Sequence, residues 1–164
     1  MQEKQLKLFS WLDKFEIGAV TLLLSAMTVV VFLQIFFRFV IKGPLPWSEE
    51  LARYLMVWAV FIGASMGAKE GAHIGVKALV SVLPLPAKRV AVVLAGLLSL
   101  AFCLLIVVLS WEVVMFQTSS GQLSPAMEIP IYWAYLAVPV GSLLMGLRFI
   151  QFTLIELRSL EVTE

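Results

Sequence analysis

Residues 90–111 read VAVVLAGLLSLAFCLLIVVLSW, a run of 22 residues without a charged side chain. In a helix, about 20 apolar residues cross the roughly 30 Å hydrocarbon core of a bilayer, because the helix satisfies all of its own backbone polar groups. Two further runs, 17–37 and 129–147, have this character, and a fourth, 51–68, has it apart from Arg53 near its start. The sequence therefore predicts an all-α integral membrane protein with four transmembrane helices, forming a single domain over residues 1–164.

The composition of the 164-residue chain agrees with this prediction and excludes several other classes. Charged residues make up only 14%, against about 25% in an ordinary soluble domain. The net charge of +1 gives no field that would attract nucleic acid. The lone Cys103 cannot form an internal disulfide, and the lone His73 cannot supply the paired ligands of a membrane cytochrome. We expect no enzymatic activity, no cofactor and no metal site.

Basic residues predict the direction of the spans, because Lys and Arg accumulate in cytoplasmic segments. The N-terminal segment, the second connection and the tail together carry nine of them, whereas the other two connections carry three. Both termini are therefore predicted to be cytoplasmic. Trp11, Leu12 and Phe15 share a helix face with Leu8, which predicts an N-terminal amphipathic helix along the membrane interface. A second, shorter surface helix is predicted for residues 74–83.

The predicted spans lack the features of a substrate site. Such a site usually shows an ionisable group near the bilayer midplane or a pair of broken helices. Apart from tyrosines, the ionisable side chains within the spans are Cys103 and Arg53, and Arg53 lies close to the start of its span. Pro139 is the one helix breaker and predicts a modest kink. We therefore expect no substrate pathway within this chain alone.

Charged residues cluster where the second span begins. Ser48 can cap the helix, and Glu49 and Glu50 follow in the first turn, where the helix dipole favours acidic side chains. Arg53 lies four residues after Glu49 and three after Glu50, so it can pair with either. The cluster is either an ordinary surface ion pair or a contact with another polypeptide. The tryptophans predicted to anchor the chain at the membrane interface are Trp11, Trp47 and Trp58.

Small residues recur at every fourth position further along the same helix, at Ala59, Gly63, Gly67 and Gly71. A stripe of this kind lets two helices approach closely in lipid, where van der Waals packing drives their association. It can pack the protein's own spans together, or it can receive a partner. The candidate residues for a partner interface are Glu49, Glu50, Arg53, Ala59, Gly63 and Gly67.

The order of these residues resembles the small membrane subunit of tripartite ATP-independent periplasmic (TRAP) transporters. The residues that carry the resemblance are Arg38, the run PLPWSEELARY at 44–54, Trp58, Phe61, Gly63-Ala64 and His73-Ile74. The chain length and the four-span layout agree with that family as well. Lys77 departs from its pattern, because many members have an acidic residue at this point.

The resemblance implies a non-catalytic subunit of a sodium-driven importer of organic acids in the bacterial inner membrane. In that family a large membrane subunit holds the substrate and sodium sites, and a soluble periplasmic binding protein docks from outside. The small subunit packs against the large one among the membrane lipids, and its outer loops around 42–48 and 117–128 are candidate contacts for the binding protein. The resemblance favours sialic acid as the cargo, with a C4-dicarboxylate as the second candidate. Both suggestions rest only on the cargoes of familiar family members.

Two other classes are compatible with the sequence. A small homodimeric exporter would need a membrane-embedded carboxylate, for which only Glu112 and Glu128, at the ends of spans, are candidates. A membrane assembly factor would share the small-residue stripes without belonging to a transporter. Transport by this chain alone would favour the exporter, and transport only with a larger partner would favour the TRAP subunit.

Overall fold

Helices account for most of the described chain. A computed structural model describes residues 2–69 and 84–161. Four of its helical segments are long and apolar enough to cross a membrane, which confirms the predicted all-α membrane fold with four spans. His73 and the short surface helix predicted for residues 74–83 lie outside the described residues.

The first helix begins well before the first apolar run. Helix α1 covers Gln2–Phe36 and continues as a turn of π-helix, Phe37–Ile41. Lys42 ends this turn in the left-handed conformation, with a φ of 59°. The predicted N-terminal amphipathic segment is helical, but it is continuous with the first span. Its location along the membrane surface stays a prediction.

Helix α2 covers Pro46–Lys69 and begins two residues before the predicted cap. Proline suits the first turn of a helix because its missing N–H would have no intrahelical partner there. Ser48 therefore lies inside the helix, and its hydroxyl donates to the carbonyl oxygen of Leu45 at 2.7 Å. The prediction that Ser48 caps the helix is wrong.

The last crossing consists of two helices, the short α4 at Tyr132–Tyr135 and α5 at Ala137–Glu161. The interruption between them lies three residues before Pro139. Proline has no N–H to donate to the carbonyl oxygen four residues earlier, here that of Tyr135, and its ring clashes with that group. Pro139 therefore explains the break between α4 and α5, at the place where the sequence predicts a kink.

The four crossings form an open row rather than a closed bundle. Helix α3 covers Leu85–Ser120. The backbone of α1 packs beside α2, α2 beside α5, and α5 beside α3. Within the described residues, the backbones of α1 and α3 do not approach each other. The order across the row is therefore α1, α2, α5, α3, with α1 and α3 at its edges.

Small and polar side chains fill the inside of the row, whereas large apolar side chains cover its surface. Ser48, Ser65 and Ala137 are fully buried, while Leu22 and Leu98 are each 71% exposed. Exposed apolar groups are favourable in hydrocarbon, and small residues between helices let their backbones approach closely. This distribution is the one expected for helices that pack within lipid.

Two glycines lie at the closest contacts between helices. A Cβ atom built on Gly141 of α5 would lie 2.5 Å from the Cβ atom of Phe61 in α2. One built on Gly96 of α3 would clash with Oγ1 of Thr153 in α5. Gly63, in the predicted stripe on α2, has no such neighbour within 4 Å in the part of the chain that the structure describes. The contact between α2 and α5 therefore depends on Gly141.

We expect Gly141→Ala to lower the free energy of unfolding by about 1–3 kcal/mol, because the added methyl group overpacks the contact with Phe61. Gly63→Ala adds the same methyl group where space is free and serves as the matched control. Thermal unfolding of both variants in one detergent, followed by circular dichroism, measures the difference. Equal melting temperatures would contradict the close approach of α2 and α5.

Candidate functional site

Four charged side chains meet at one end of the row and form what we call the ionic cluster: Asp13, Glu16, Lys69 and Arg148. Glu16 of α1 is 1% exposed and Arg148 of α5 is 0% exposed. Arg148 Nε lies 3.2 and 3.1 Å from the two carboxylate oxygens of Glu16, which Nη2 also contacts. Asp13 Oδ1 lies 2.7 Å from Arg148 Nη2, and Asp13 Oδ2 lies 2.7 Å from Lys69 Nζ. Two acidic and two basic side chains leave the cluster without net charge.

Neutral side chains complete the hydrogen bonding of the ionic cluster. Arg148 Nη1 donates to the side-chain oxygen of Gln151 at 2.7 Å. The Ser65 hydroxyl lies 2.8 Å from Glu16 Oε1 and 2.7 Å from the carbonyl oxygen of Ile62, so its single proton serves one of them at a time. Buried charges are tolerated only where they are paired and hydrogen-bonded. The cluster meets this condition and links α1, α2 and α5.

Reasoning from the sequence missed the ionic cluster. Glu16 directly precedes one charge-free run and Arg148 directly follows another, so both had the character of ordinary flanking charges. One signal was present in the spacing. Asp13 lies three residues before Glu16, and Ser65 lies four residues before Lys69, so each pair shares a helix face. The spacing alone, however, does not reveal which helices face each other.

A second polar site lies at the other end of α2, against residues 121–131, which connect α3 to α4. We call these residues the outer loop, after the side of the membrane that the sequence predicts for them. The Glu50 carboxylate is buried, and its Oε2 accepts the backbone N–H groups of Ala126 at 3.0 Å and Met127 at 3.2 Å. The Tyr54 hydroxyl donates to Oε1 at 3.3 Å. Glu50 therefore joins the first turn of α2 to the middle of the outer loop.

Four of the six candidate interface residues share one side of α2. Glu49 and Arg53 form an ion pair at 3.4 Å, with both side chains 70% exposed. No atom of the described residues lies within 4 Å of a Cβ atom built on Gly63 or Gly67. Exposed apolar side chains lie between the ion pair and the glycines. We call this side the open face of α2, formed by Glu49, Arg53, Met56, Val60, Gly63 and Gly67.

The other two candidates, Glu50 and Ala59, are buried within the chain. The small-residue stripe is therefore divided between two sides of α2. Ala59 faces the chain's own interior, whereas Gly63 and Gly67 face outward. The two neighbouring glutamates are separated in the same way, because Glu50 points inward and Glu49 outward.

The three predicted tryptophan anchors have different surroundings. Trp11 is 63% exposed and Trp47 is 38% exposed, so both can reach a membrane interface. Trp58 is more enclosed, and its Nε1 donates to the backbone oxygen of Trp133 at 3.1 Å. Trp58 therefore also ties α2 to α4, beside the outer loop.

Comparison with known proteins identifies the family. A family model described as "Tripartite ATP-independent periplasmic transporters, DctQ component" matches residues 27–159. The chain belongs to this family. The resemblance to the small TRAP subunit is thereby confirmed, and this DctQ-family chain is a membrane-embedded transporter component.

Relatives with different named substrates share this sequence pattern. A C4-dicarboxylate TRAP transporter small permease protein from Rhodobacter capsulatus is 35% identical over 107 residues, which are 65% of this chain and 47% of that protein. A sialic acid TRAP transporter small permease protein from Vibrio cholerae is 27% identical over 129 residues, 77% of this chain and 72% of that protein. The chain thus spans about half the length of the first relative.

A third relative is much longer than this DctQ-family chain. The isethionate TRAP transporter permease protein DctMQ from Oleidesulfovibrio alaskensis is 27% identical over 105 residues, which are 64% of this chain and only 16% of that protein. A segment similar to this chain therefore occurs as a small part of a longer permease.

Removal of one partner from the ionic cluster tests its contribution to folding. We expect Glu16→Ala to lower the free energy of unfolding by about 3–5 kcal/mol, because it leaves the buried Arg148 without its main counter-ion. Glu49→Ala, which removes a carboxylate from an exposed pair, should cost about 1 kcal/mol or less. Unfolding of the purified variants in detergent gives both values. Equal losses would show that the buried pair is no stronger than the exposed one.

Proposed function

We propose that the chain is the non-catalytic small subunit of a sodium-coupled TRAP transporter that imports an organic acid. In this role it packs against the large membrane subunit and anchors it in the bilayer, while substrate and sodium bind to the large subunit. The observation that carries the proposal is the open row of helices in a member of the DctQ family. A row with both sides exposed offers a broad packing surface. Family membership favours this role over a free-standing exporter or an assembly factor.

The large TRAP subunit is the proposed partner in the membrane. The DctMQ relative supports this proposal, because a segment similar to this chain is there part of a longer permease. The open face of α2 is the proposed contact. Its glycines leave space for a second helix to approach closely, and its ion pair lies where the helix begins. Glu50 and Ala59 then support this face from inside the chain.

The soluble binding protein is the proposed partner outside the membrane, with the segments around 42–48 and 117–128 as candidate contacts. The cargo is an organic acid, and sialic acid or a C4-dicarboxylate remains the proposal for its identity. The names of the relatives include both of these substrates and isethionate. Small subunits of similar sequence therefore serve different cargoes, which agrees with substrate recognition by other chains.

Both termini are proposed to lie in the cytoplasm, with the chain in the bacterial inner membrane. The unequal distribution of Lys and Arg supports this orientation. We expect a reporter that is active only in the periplasm to be inactive when fused to the C-terminus and active when fused after Gln122 in the outer loop. The reverse pattern would contradict the orientation.

Assembly of the two membrane subunits tests the proposed contact. We expect the double variant Arg53→Glu, Gly63→Leu to weaken binding of the large subunit by about tenfold or more, which corresponds to about 1.4 kcal/mol. The bulky side chain blocks close approach, and the charge reversal places a like charge beside Glu49. Co-purification through a tag on the large subunit, together with substrate uptake, provides the measurement.

Gly18→Leu is the matched control for this experiment, because a Cβ atom built on Gly18 of α1 also has no described residue within 4 Å. It should leave co-purification unchanged. In assembled transporters of any variant, the number of sodium ions per substrate should equal that of the wild type. Unaltered co-purification of the double variant would contradict the open face of α2 as the contact.

A further inference from the structure

Two adjacent glutamates at the start of α2 have opposite surroundings. The Glu49 side chain is 70% exposed and pairs with Arg53 on the same helix. Glu50 is only 9% exposed, and it reaches a segment 76 residues further along the chain. A carboxylate that accepts backbone N–H groups forms hydrogen bonds roughly twice as strong as neutral ones. Glu50 is therefore placed to hold the outer loop, whereas Glu49 is not.

The outer loop has an ordered backbone of its own. The Ser124 N–H donates to the carbonyl oxygen of Ile129 at 2.8 Å, and the Ile131 N–H donates to that of Gln122 at 3.1 Å. Glu128 adopts the left-handed conformation, with a φ of 55°. These bonds close the loop on itself, whereas the bonds from Glu50 attach the closed loop to α2.

The surface of the outer loop is suited to a protein rather than to lipid headgroups. Anionic headgroups attract clusters of Lys and Arg, but no Lys or Arg occurs between Arg89 and Arg148. Leu123 is 54% exposed, and the polar side chains of Gln122 and Glu128 are exposed beside it. A mixed apolar and polar surface with few charges is typical of contacts between proteins.

We propose that Glu50 is a positioning residue that holds the outer loop as a preformed docking surface for the soluble binding protein of the transporter. This inference rests on the proposed function, which supplies both the partner and the side of the membrane. A loop that is already ordered loses little conformational entropy when the partner binds, so its attachment to α2 favours docking.

The test uses the complete membrane complex of small and large subunits in lipid nanodiscs, with purified binding protein in solution. Hydrogen exchange of the loop peptide reports its attachment, and surface plasmon resonance reports docking. Glu50→Ala should speed exchange at the Ala126 and Met127 amides by about tenfold or more and weaken docking. Glu50→Gln keeps one acceptor oxygen, so its loop amide exchange and its docking should both lie between those of the wild type and of Glu50→Ala. Glu112→Ala, which removes an exposed carboxylate from α3, is the control and should change neither.

Leu123→Asp changes the surface of the outer loop but leaves the hydrogen bonds from Ala126 and Met127 to Glu50 in place. It should weaken docking while leaving amide exchange and co-purification of the two membrane subunits unchanged. Unchanged exchange in Glu50→Ala would overturn the positioning role. If Glu50→Ala speeds amide exchange but neither Glu50→Ala nor Leu123→Asp weakens docking, the loop is not the docking surface and the inference is overturned.

Two further outcomes separate this inference from the proposed function. Loss of co-purification of the large subunit with Glu50→Ala would show that the loop contacts the large subunit and would overturn the docking assignment. Failure of the wild-type small subunit to co-purify with the large one would instead contradict the proposed function. Docking that weakens in Glu50→Ala and Leu123→Asp, weakens less in Glu50→Gln and is unchanged in Glu112→Ala would support the inference.

Discussion

The buried contact between Arg148 and Glu16 is the interaction on which the arrangement of the helices depends. The backbone of α1 packs beside α2 and not beside α5, yet Arg148 of α5 reaches Glu16 and Asp13 of α1 across the end of α2. Lipid provides no hydrophobic force that would drive one apolar helix against another. Paired charges in a dry environment supply a specific attraction instead, and their neutral sum makes burial tolerable.

An open row has consequences for what the chain can do. A closed bundle surrounds an interior in which a solute can be held, whereas a single row of helices has two sides and no enclosed space between distant helices. Among the described residues, the buried charged side chains Glu16, Arg148 and Glu50 join elements of the row to one another, at the ionic cluster and at the start of α2. Its outward surface is left for lipid and for other proteins. This division agrees with a subunit that enlarges a transporter and leaves cargo to other chains.

The sequence predicted the number and nature of the spans, because the length of a charge-free run and the thickness of the bilayer are directly comparable. It did not predict the ionic cluster, since Glu16 and Arg148 adjoin the ends of such runs and only the packing of three helices brings them together. Spacing also could not distinguish Gly63, which faces outward, from Gly141, which lies against α2. Likewise, nothing in two consecutive glutamates indicated that Glu50 alone would turn toward a loop far along the chain.

We propose that this chain provides a packing surface for a transporter and transports no substrate by itself. Reconstitution into liposomes with a sodium gradient tests it most directly, with radiolabelled organic acid and purified binding protein outside. Uptake is expected when the small and large subunits are present together, and no uptake is expected with the small subunit alone. Sodium-dependent uptake by the small subunit alone would contradict it.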